Sequence, residues 1–356
     1  MSERKIRVAI VGTGFGKSVQ IPGFRACPNA EVYAICASTL EKANAMQQEF
    51  GIPHAFANYK AMLRLQELDL VSITTPPHLH FPMTIAALRA GKHVLCEKPT
   101  AMNLHEARQM WRRAKHANLV CLIDHELRFN PARRHIKQLI SEGFIGQLRH
   151  VQISLALSYR STAEMRSWDW WSDKKRGGGI LGAVGSHQID LLRWWFGEIS
   201  EARGHLETFI KTRPMPESLE PRRVTADDFC CFWLKFANGG LGSVQLSLVA
   251  RHVSQARIEI CGDQGSIVLL DEKLFAGHHK ETLAEVTDLE PLPVVPGMPE
   301  GVFPRSFALL SQYLIEYLSQ GKRPAIGATF YDGMRCQAVM DAVRKSDRSG
   351  RWVSVK

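Results

Sequence analysis

No stretch of the 356 residues approaches the roughly 18 consecutive apolar residues that a membrane-spanning helix needs. The first apolar run, Val8 to Val11, is too short for the core of a signal peptide and passes straight into a glycine turn. None of the eight cysteines is spaced C-x-x-C, and most sit inside apolar runs, where a thiol packs as a small hydrophobe. These absences point away from a disulfide scaffold and towards a reducing compartment, with the cytoplasm as the expected location. A basic stripe is missing too. Lys and Arg number 45 against 35 Asp and Glu, a formal charge of +10, yet the excess is dispersed in pairs such as Arg112-Arg113, without a basic helix or an aromatic RNP-like strand. That distribution excludes a nucleic-acid reading and leaves a solvated basic surface, or a field that draws in an anionic cofactor or substrate. Internal repeats are absent as well.

What is present is an ordinary soluble composition, 45% apolar and 22% charged, at a length that suits about two domains. Ile6 to Val11 is a β-branched run that reads as a strand buried on both faces. Gly12-Thr13-Gly14-Phe15-Gly16 then opens a helix through about Ala26, and Glu31 to Ala37 supplies the next strand, completing one βαβ unit. Ser38 and Glu41 have the S-x-x-E spacing of a capping box for a helix running to Phe50 and ending at Gly51. The alternation continues through strands at Leu68–Thr74, His93–Cys96 and Leu119–Ile123, with helices at Leu79–Ala90 and Asn103–Ala117. Such alternation predicts a doubly wound parallel sheet over residues 1–125.

From residue 126 to 356 the pattern changes. A helix at Pro131–Glu142 leads to a long strand, Leu148–Leu157, and two hairpins follow. Asn238-Gly239-Gly240 joins Asp228–Phe236 to Leu241–Ala250, and a Gly-Asp-Gln-Gly turn joins Ala256–Cys261 to Ser266–Leu270. The expectation is an α+β domain with a large, open, mostly antiparallel sheet. The proline-rich stretch Glu290–Pro304 reads as an excursion on that domain. Helices follow at Ser306–Ser319 and Thr329–Lys345, and the second of them is expected to pack back on the first domain.

Three places carry chemistry. Gly12 and Gly14 suit a turn at which backbone N–H groups meet a pyrophosphate, with Thr13, Phe15 and Gly16 beside them, although position 17, where G-x-G-x-x-G has its third glycine, is Lys17. No acid ends the second strand to hold the ribose hydroxyls of NAD. Ser38, Thr39 and nearby Lys42 tilt the reading from NAD towards NADP. The second place is the crevice at the carboxyl ends of the strands, passed by Thr75, Pro76, His78 and His80 and then by Glu97-Lys98-Pro99. There Lys98 would stabilise an alkoxide beside a nicotinamide. His78 and His80 lack an evident third ligand, so no metal is expected. The third place is the glycine triplet Gly177-Gly178-Gly179, followed by a helix with His187 and Asp190 on one face. A histidine there is either a packed core residue or a base that takes a hydroxyl proton.

The order of these motifs resembles the Gfo/Idh/MocA family of oxidoreductases over nearly the whole chain. His125 to Pro131, Ala226 to Cys230 and Ala328 to Asp332 are similar to the glucose–fructose oxidoreductase domain-containing proteins. The resemblance implies a Rossmann domain, a C-terminal domain whose open sheet forms oligomer contacts, and hydride exchange between NAD(P) and a sugar, cyclitol or related alcohol. It carries the family lysine to Lys98 and the family histidine to His187, both expected within reach of one substrate oxygen. It also exposes a departure, because many members have an aspartate where this chain has Ala183. Arg128, Tyr159, Trp168 and Asp190 are candidates for substrate contacts, with the tryptophans read equally as core or interface. Two rival readings are a nucleotide-binding sensor without turnover and an NAD-assisted glycosidase.

Overall fold

Six short apolar segments form a parallel sheet: β1 (Ile6–Val11), β2 (Ala30–Cys36), β3 (His54–Phe56), β4 (Leu70–Ile73), β5 (His93–Cys96) and β6 (Cys121–Ile123). Their order is β3-β2-β1-β4-β5-β6. Alternate residues feed two cores because successive side chains of a strand point to opposite faces. Val8, Ile10, Ile35, Leu70 and Leu95 lie in one, and Ala9, Val11, Val71, Ile73 and Val94 in the other. The computed structural model describes residues 4–321 and 326–356. It divides into two units, Met1–Asn130 with Pro291–Met334, and Pro131–Glu290 with Arg335–Lys356.

This division differs from a cut at residue 125. The proline-rich stretch and the helix after it, expected on the second domain, belong to the first unit. The reason lies in helix Val302–Gln320, whose Phe307, Leu310, Leu314 and Ile315 complete the core on one face of the parallel sheet. Phe307 is fully buried, with Phe24 edge-on at 5.6 Å and Phe15 at 6.1 Å. Burying such a side chain stabilises by about 1.5–3 kcal/mol. On the other face, Phe330 and Met334 from the start of helix Phe330–Ser349 fill the core, and the division between the units falls within that helix, after Met334.

The second unit holds a nine-stranded sheet. Its main members are β7 (Leu148–Ala156), β8 (Ile199–Glu207), β11 (Phe229–Phe236), β12 (Leu241–Ser247), β13 (Gln255–Gly262), β14 (Gly265–Leu270) and β15 (Lys273–His278), with β16 (Ala284–Glu285) and β17 (Val353–Ser354) at the edges. A separate ribbon pairs β9 (Thr212–Pro214) with β10 (Pro221–Arg223). Both expected hairpins form, β11 with β12 and β13 with β14, and only β7 and β12 run parallel among the paired strands of the large sheet. Along β11 and β12 buried and open residues alternate, so one face is covered and the other carries exposed Trp233 and Leu241. Helices Ser186–Phe196 and Phe330–Ser349 cover it, with Phe196 against Phe236 and Val343 over Gly204. No helix among the described residues is long and apolar enough to cross a membrane.

Candidate functional site

The strand order reverses between β1 and β4, and a doubly wound sheet binds its ligand outside the carboxyl ends at that point. Gly12 follows β1 with φ +121°, and a Cβ there would stand 2.8 Å from the carbonyl oxygen of Thr74. Only glycine fits. A Cβ on Gly14 would meet nothing within 4 Å, so the absent side chain leaves room for a ligand rather than for the protein. Gly16, which the motif spacing marks as out of register, does the packing work of a third glycine. Its Cβ would lie 2.8 Å from Ile10 Cγ2. The helix there opens with a π turn, Gly16–Gln20, before helix Ile21–Arg25, and that turn has neither an acidic residue nor a side-chain cap. Such an N-terminus has N–H groups and positive dipole to offer an anion. The cradle therefore fits a dinucleotide pyrophosphate.

At the end of β2 the helix cap is Thr39, whose Oγ1 accepts from Lys42 N, and not Ser38 as the S-x-x-E spacing suggests. Ser38 is left exposed beside the crevice, with Lys42 also exposed. No acidic residue stands between the end of β2 and the helix cap, and Glu41 lies in the helix's first turn.

Two crevice residues expected to touch a cofactor are committed to the protein instead. His80 is fully buried, its Nδ1 2.8 Å from Pro99 O and its Nε2 2.7 Å from Thr75 O, so it ties together the loops after β4 and β5. Burial depresses its pKa against the pull of these carbonyls, and a neutral ring donates to one of them only. Glu97 points inward, accepting from Gln20 Nε2 at 3.3 Å. Thr75, Pro76 and His78 are half-buried along the same loop, in keeping with a crevice wall.

Lys98 follows a buried strand and is joined to Pro99 by a cis peptide. Its Nζ lies 3.6 Å from Glu97 Oε2 and 6.0 Å from the centre of the Phe15 ring. The lysine and the glycine turn thus meet within the first unit. Burial works against the ammonium, but Glu97, Glu126 and Asp124 outweigh it and raise the Lys98 pKa. At neutral pH the group is a cation, the form that stabilises a developing oxyanion.

Asp124 and Glu126 lie just beyond β6 and are not among the sequence candidates, since His125 to Pro131 carries only the family resemblance. The segment is buried. Gln20 was missed as well, and its signal is a lone amide between Val19 and Ile21 on an apolar face. It donates to Asp124 Oδ2 at 3.1 Å and accepts from Ser72 Oγ. Arg128 is an anchor rather than a substrate contact. Its guanidinium meets Asp332 at 3.2 Å and donates to Ile326 O at 3.3 Å, and Asp332 in turn accepts from Thr329 N at the start of helix Phe330–Ser349.

The second unit contains the remaining candidates. Gly178 lies under the carbonyls of Trp170 and Trp171, where a Cβ would come within 2.6 Å of Trp170 O. Gly179 has φ +114°, and its missing Cβ makes way for Asp227. That carboxylate accepts from Leu181 N at 2.8 Å, and Ile180 N donates to Asp227 O at 2.9 Å. A π turn, Leu181–Gly185, again precedes the helix, Ser186–Phe196. His187 and Asp190 are buried on that helix, with Cys336 Sγ 3.8 Å from Asp190 Oδ1. Trp168 does not offer a stacking face. Arg222 sits 3.7 Å over its ring and its Nε1 donates to Arg223 O, so it is a packing residue of the β9–β10 ribbon. Tyr159 is 43% exposed.

Comparison with known proteins gives this arrangement a lineage. Residues 6–125 match a model described as an oxidoreductase family with an NAD-binding Rossmann fold, and residues 133–268 match the GFO/IDH/MocA C-terminal domain. Human glucose-fructose oxidoreductase domain-containing protein 2 is 31% identical over 98% of this chain and 93% of its own. An uncharacterized oxidoreductase of Synechocystis is 28% identical over 98% and 96%. Among solved structures, levoglucosan dehydrogenase in complex with NADH and L-sorbose superposes with a TM-score of 0.90 at 25% identity, covering 99% of both chains. The chain belongs to the GFO/IDH/MocA family of oxidoreductases, and its first unit has that family's NAD-binding Rossmann fold.

Proposed function

We propose that the protein transfers hydride between a nicotinamide dinucleotide, NADP or NAD, and a hydroxyl-bearing carbon of a sugar, cyclitol or related polyhydroxy molecule. The observation that carries the reading is the meeting of Lys98 with Phe15 of the glycine turn at the carboxyl ends of β1 and β5. Gly12, Gly14 and Gly16 would hold the pyrophosphate, and the bound dinucleotide would supply the hydride acceptor. Lys98 stabilises the alkoxide as the substrate hydroxyl loses its proton, and the His187 imidazole takes that proton. The dehydrogenase neighbour solved with NADH and a sugar supports the substrate class. With Ala183 where many members carry an aspartate, His187 works without that neighbouring carboxylate.

On the same reading the protein is a cytoplasmic homo-oligomer. Its eight free cysteines and the exposed Trp233 and Leu241 on the open sheet face support this, and light scattering of the purified protein reads the oligomeric state directly.

The test is Lys98→Met assayed with a panel of polyols. Turnover should fall by about 10²–10³-fold, the usual cost of removing one oxyanion-stabilising donor. Dinucleotide affinity should change by no more than about threefold, or about 0.6 kcal/mol. Equal turnover in the variant would remove Lys98 from the reaction. Cofactor absorbance separates the rivals: glycoside cleavage without net NAD(P)H change marks a hydrolase, and tight binding without turnover marks a sensor.

A further inference from the structure

Gln20 is fully buried at the last position of the π turn that follows the glycines, and its side chain ties that turn to three successive strands of the parallel sheet. Its Nε2 donates to Glu97 Oε1 at 3.3 Å, just beyond β5, and to Asp124 Oδ2 at 3.1 Å, just beyond β6. Its Oε1 accepts from Ser72 Oγ within β4. Both amide protons and the carbonyl oxygen are therefore engaged. The partners also settle which way the amide faces, since turning it over would set its oxygen against two carboxyl groups. Ser72 and Asp124 are fully buried and Glu97 is 6% exposed, so water does not compete for these bonds.

Glu97 stands between this amide and Lys98. Its Oε1 takes the bond from Gln20, while its Oε2 accepts from Lys98 N at 3.3 Å and lies 3.6 Å from Lys98 Nζ. The last torsion of a glutamate is broad and two-fold, so a hold at Oε2 alone leaves the carboxylate free to turn. The bond from Gln20 fixes its plane and keeps Oε2 on the lysine. Burial works against the Lys98 ammonium, and Glu97 is the foremost of the charges that offset it.

We propose that Gln20 is a positioning residue for Lys98: held by Ser72, it orients Glu97, and through Glu97 it keeps the Lys98 ammonium beside the glycine turn. The inference rests on the proposed function, in which that ammonium stabilises the alkoxide of the substrate. One side chain thereby links the turn that would seat the pyrophosphate to the cation that would act on the substrate. Being fully buried, Gln20 has no surface to offer either ligand, and its effect passes through Glu97.

Gln20→Met keeps the length of the side chain and removes the amide. The first readout needs no coenzyme: acetic anhydride labels the lysines of the full-length protein, and mass spectrometry reads the rate at each. Labelling of Lys98 should speed up by about threefold or more, because a loosened ion pair leaves more free amine. Lys92 is the control, buried in the same unit where it donates to Leu65 O at 2.9 Å and Leu68 O at 2.8 Å, and its rate should not change. The second readout is turnover per dinucleotide-binding site with D-glucose, D-xylose, myo-inositol and levoglucosan. Gln20→Met should lower kcat by roughly 10–100-fold, the cost of a misplaced catalytic group, with dinucleotide Kd held within about threefold. Added to Lys98→Met it should cause no further loss, since an effect that passes through a side chain vanishes with it. An unchanged Lys98 labelling rate, an equal rise at Lys92, an unchanged kcat, or a loss that adds in full to that of Lys98→Met would each overturn the inference and leave the dehydrogenase reading intact. If none of the four alcohols is turned over, the labelling decides. If Gln20→Met does not fold, Ser72→Ala decides, because it releases the carbonyl oxygen of Gln20: Lys98 labelling faster by about twofold supports the inference, and an unchanged rate overturns it. Undiminished turnover in Lys98→Met, or failure of both coenzymes to bind, would overturn the proposed function and this inference with it.

Discussion

Two glycine-rich turns open the two helices on which the proposed chemistry depends, and they differ in what occupies the helix start. Both begin with a π turn, Gly16–Gln20 in the first unit and Leu181–Gly185 in the second. In both, glycines admit something that a Cβ would strike. At Gly12 and Gly16 that something is Thr74 and Ile10. At Gly179 it is the carboxylate of Asp227, which also takes the N–H of Leu181. The second turn is thus filled by an anion from its own chain, whereas the first has no acid in its opening turn and open space at Gly14. On the proposed function, the same local device serves as a receptor in one unit and as a structural joint in the other.

The largest effects should come from breaking the first turn. Gly12→Ala places a side chain at φ +121° and 2.8 Å from Thr74 O, so strain and collision act together. Dinucleotide affinity should fall by more than about 100-fold, or about 2.7 kcal/mol, and urea denaturation should show a loss of several kcal/mol. Gly14→Ala separates ligand from packing. Its Cβ meets no protein atom within 4 Å, so stability should stay within about 0.5 kcal/mol while affinity drops about tenfold or more. A Gly14→Ala protein that binds NAD(H) as well as the wild type would refute the receptor assignment.

What could be read from sequence divides along the same line. Strands β1 and β5 lie at the residues expected of them, and the helix expected from Asn103 begins there, with Asn103 Oδ1 accepting from Glu106 N and Glu106 Oε2 accepting from Met102 N, since these signals are local. β8 is the opposite case. Ile-Ser-Glu-Ala-Arg-Gly-His-Leu-Glu has few strand formers, and it becomes a strand because it pairs with β11 and β17. Gly204 within it is small because Val343 would stand 2.7 Å from a Cβ. Periodicity likewise shows that the helix around Phe307 has an apolar face but not which sheet it covers. Among the candidate site residues, the glycines, Lys98 and His187 announce themselves by motif. The acids Asp124 and Glu126 do not, because their burial follows from chain segments far away in sequence.

Those acids and Asp227 set the next comparison, in the pH dependence of stability. Folded Glu126 keeps its proton to about pH 8, whereas the unfolded chain releases it near its ordinary value of 4.5. The folded state binds more protons between those limits, so stability falls as pH rises through them, by up to a few kcal/mol. Urea denaturation from pH 5 to 8 should show this slope in the wild type and a flatter one in Glu126→Gln. Asp227 is raised in the same direction by burial, against the bond from Leu181 N. Asp227→Ala removes that bond and should cost about 1–2 kcal/mol, the worth of a helix cap. No change in stability would mean that the second turn does not depend on its internal anion.

The smallest effect sharpens the receptor. An acid at the end of the second strand of such a fold accepts the ribose hydroxyls of NAD and repels the extra phosphate of NADP. This chain has exposed Ser38 there, and the helix cap is the next residue, Thr39, so the position can change without unseating the helix. Ser38→Asp should therefore leave stability within about 0.5 kcal/mol and shift the ratio of NADP(H) to NAD(H) affinity towards NAD(H) by about tenfold, or about 1.4 kcal/mol. The shift should shrink as salt is added, because exposed charges are screened. An unchanged ratio would place the adenosine ribose away from the end of β2, and the lean towards NADP drawn from Ser38, Thr39 and Lys42 would then have no physical basis.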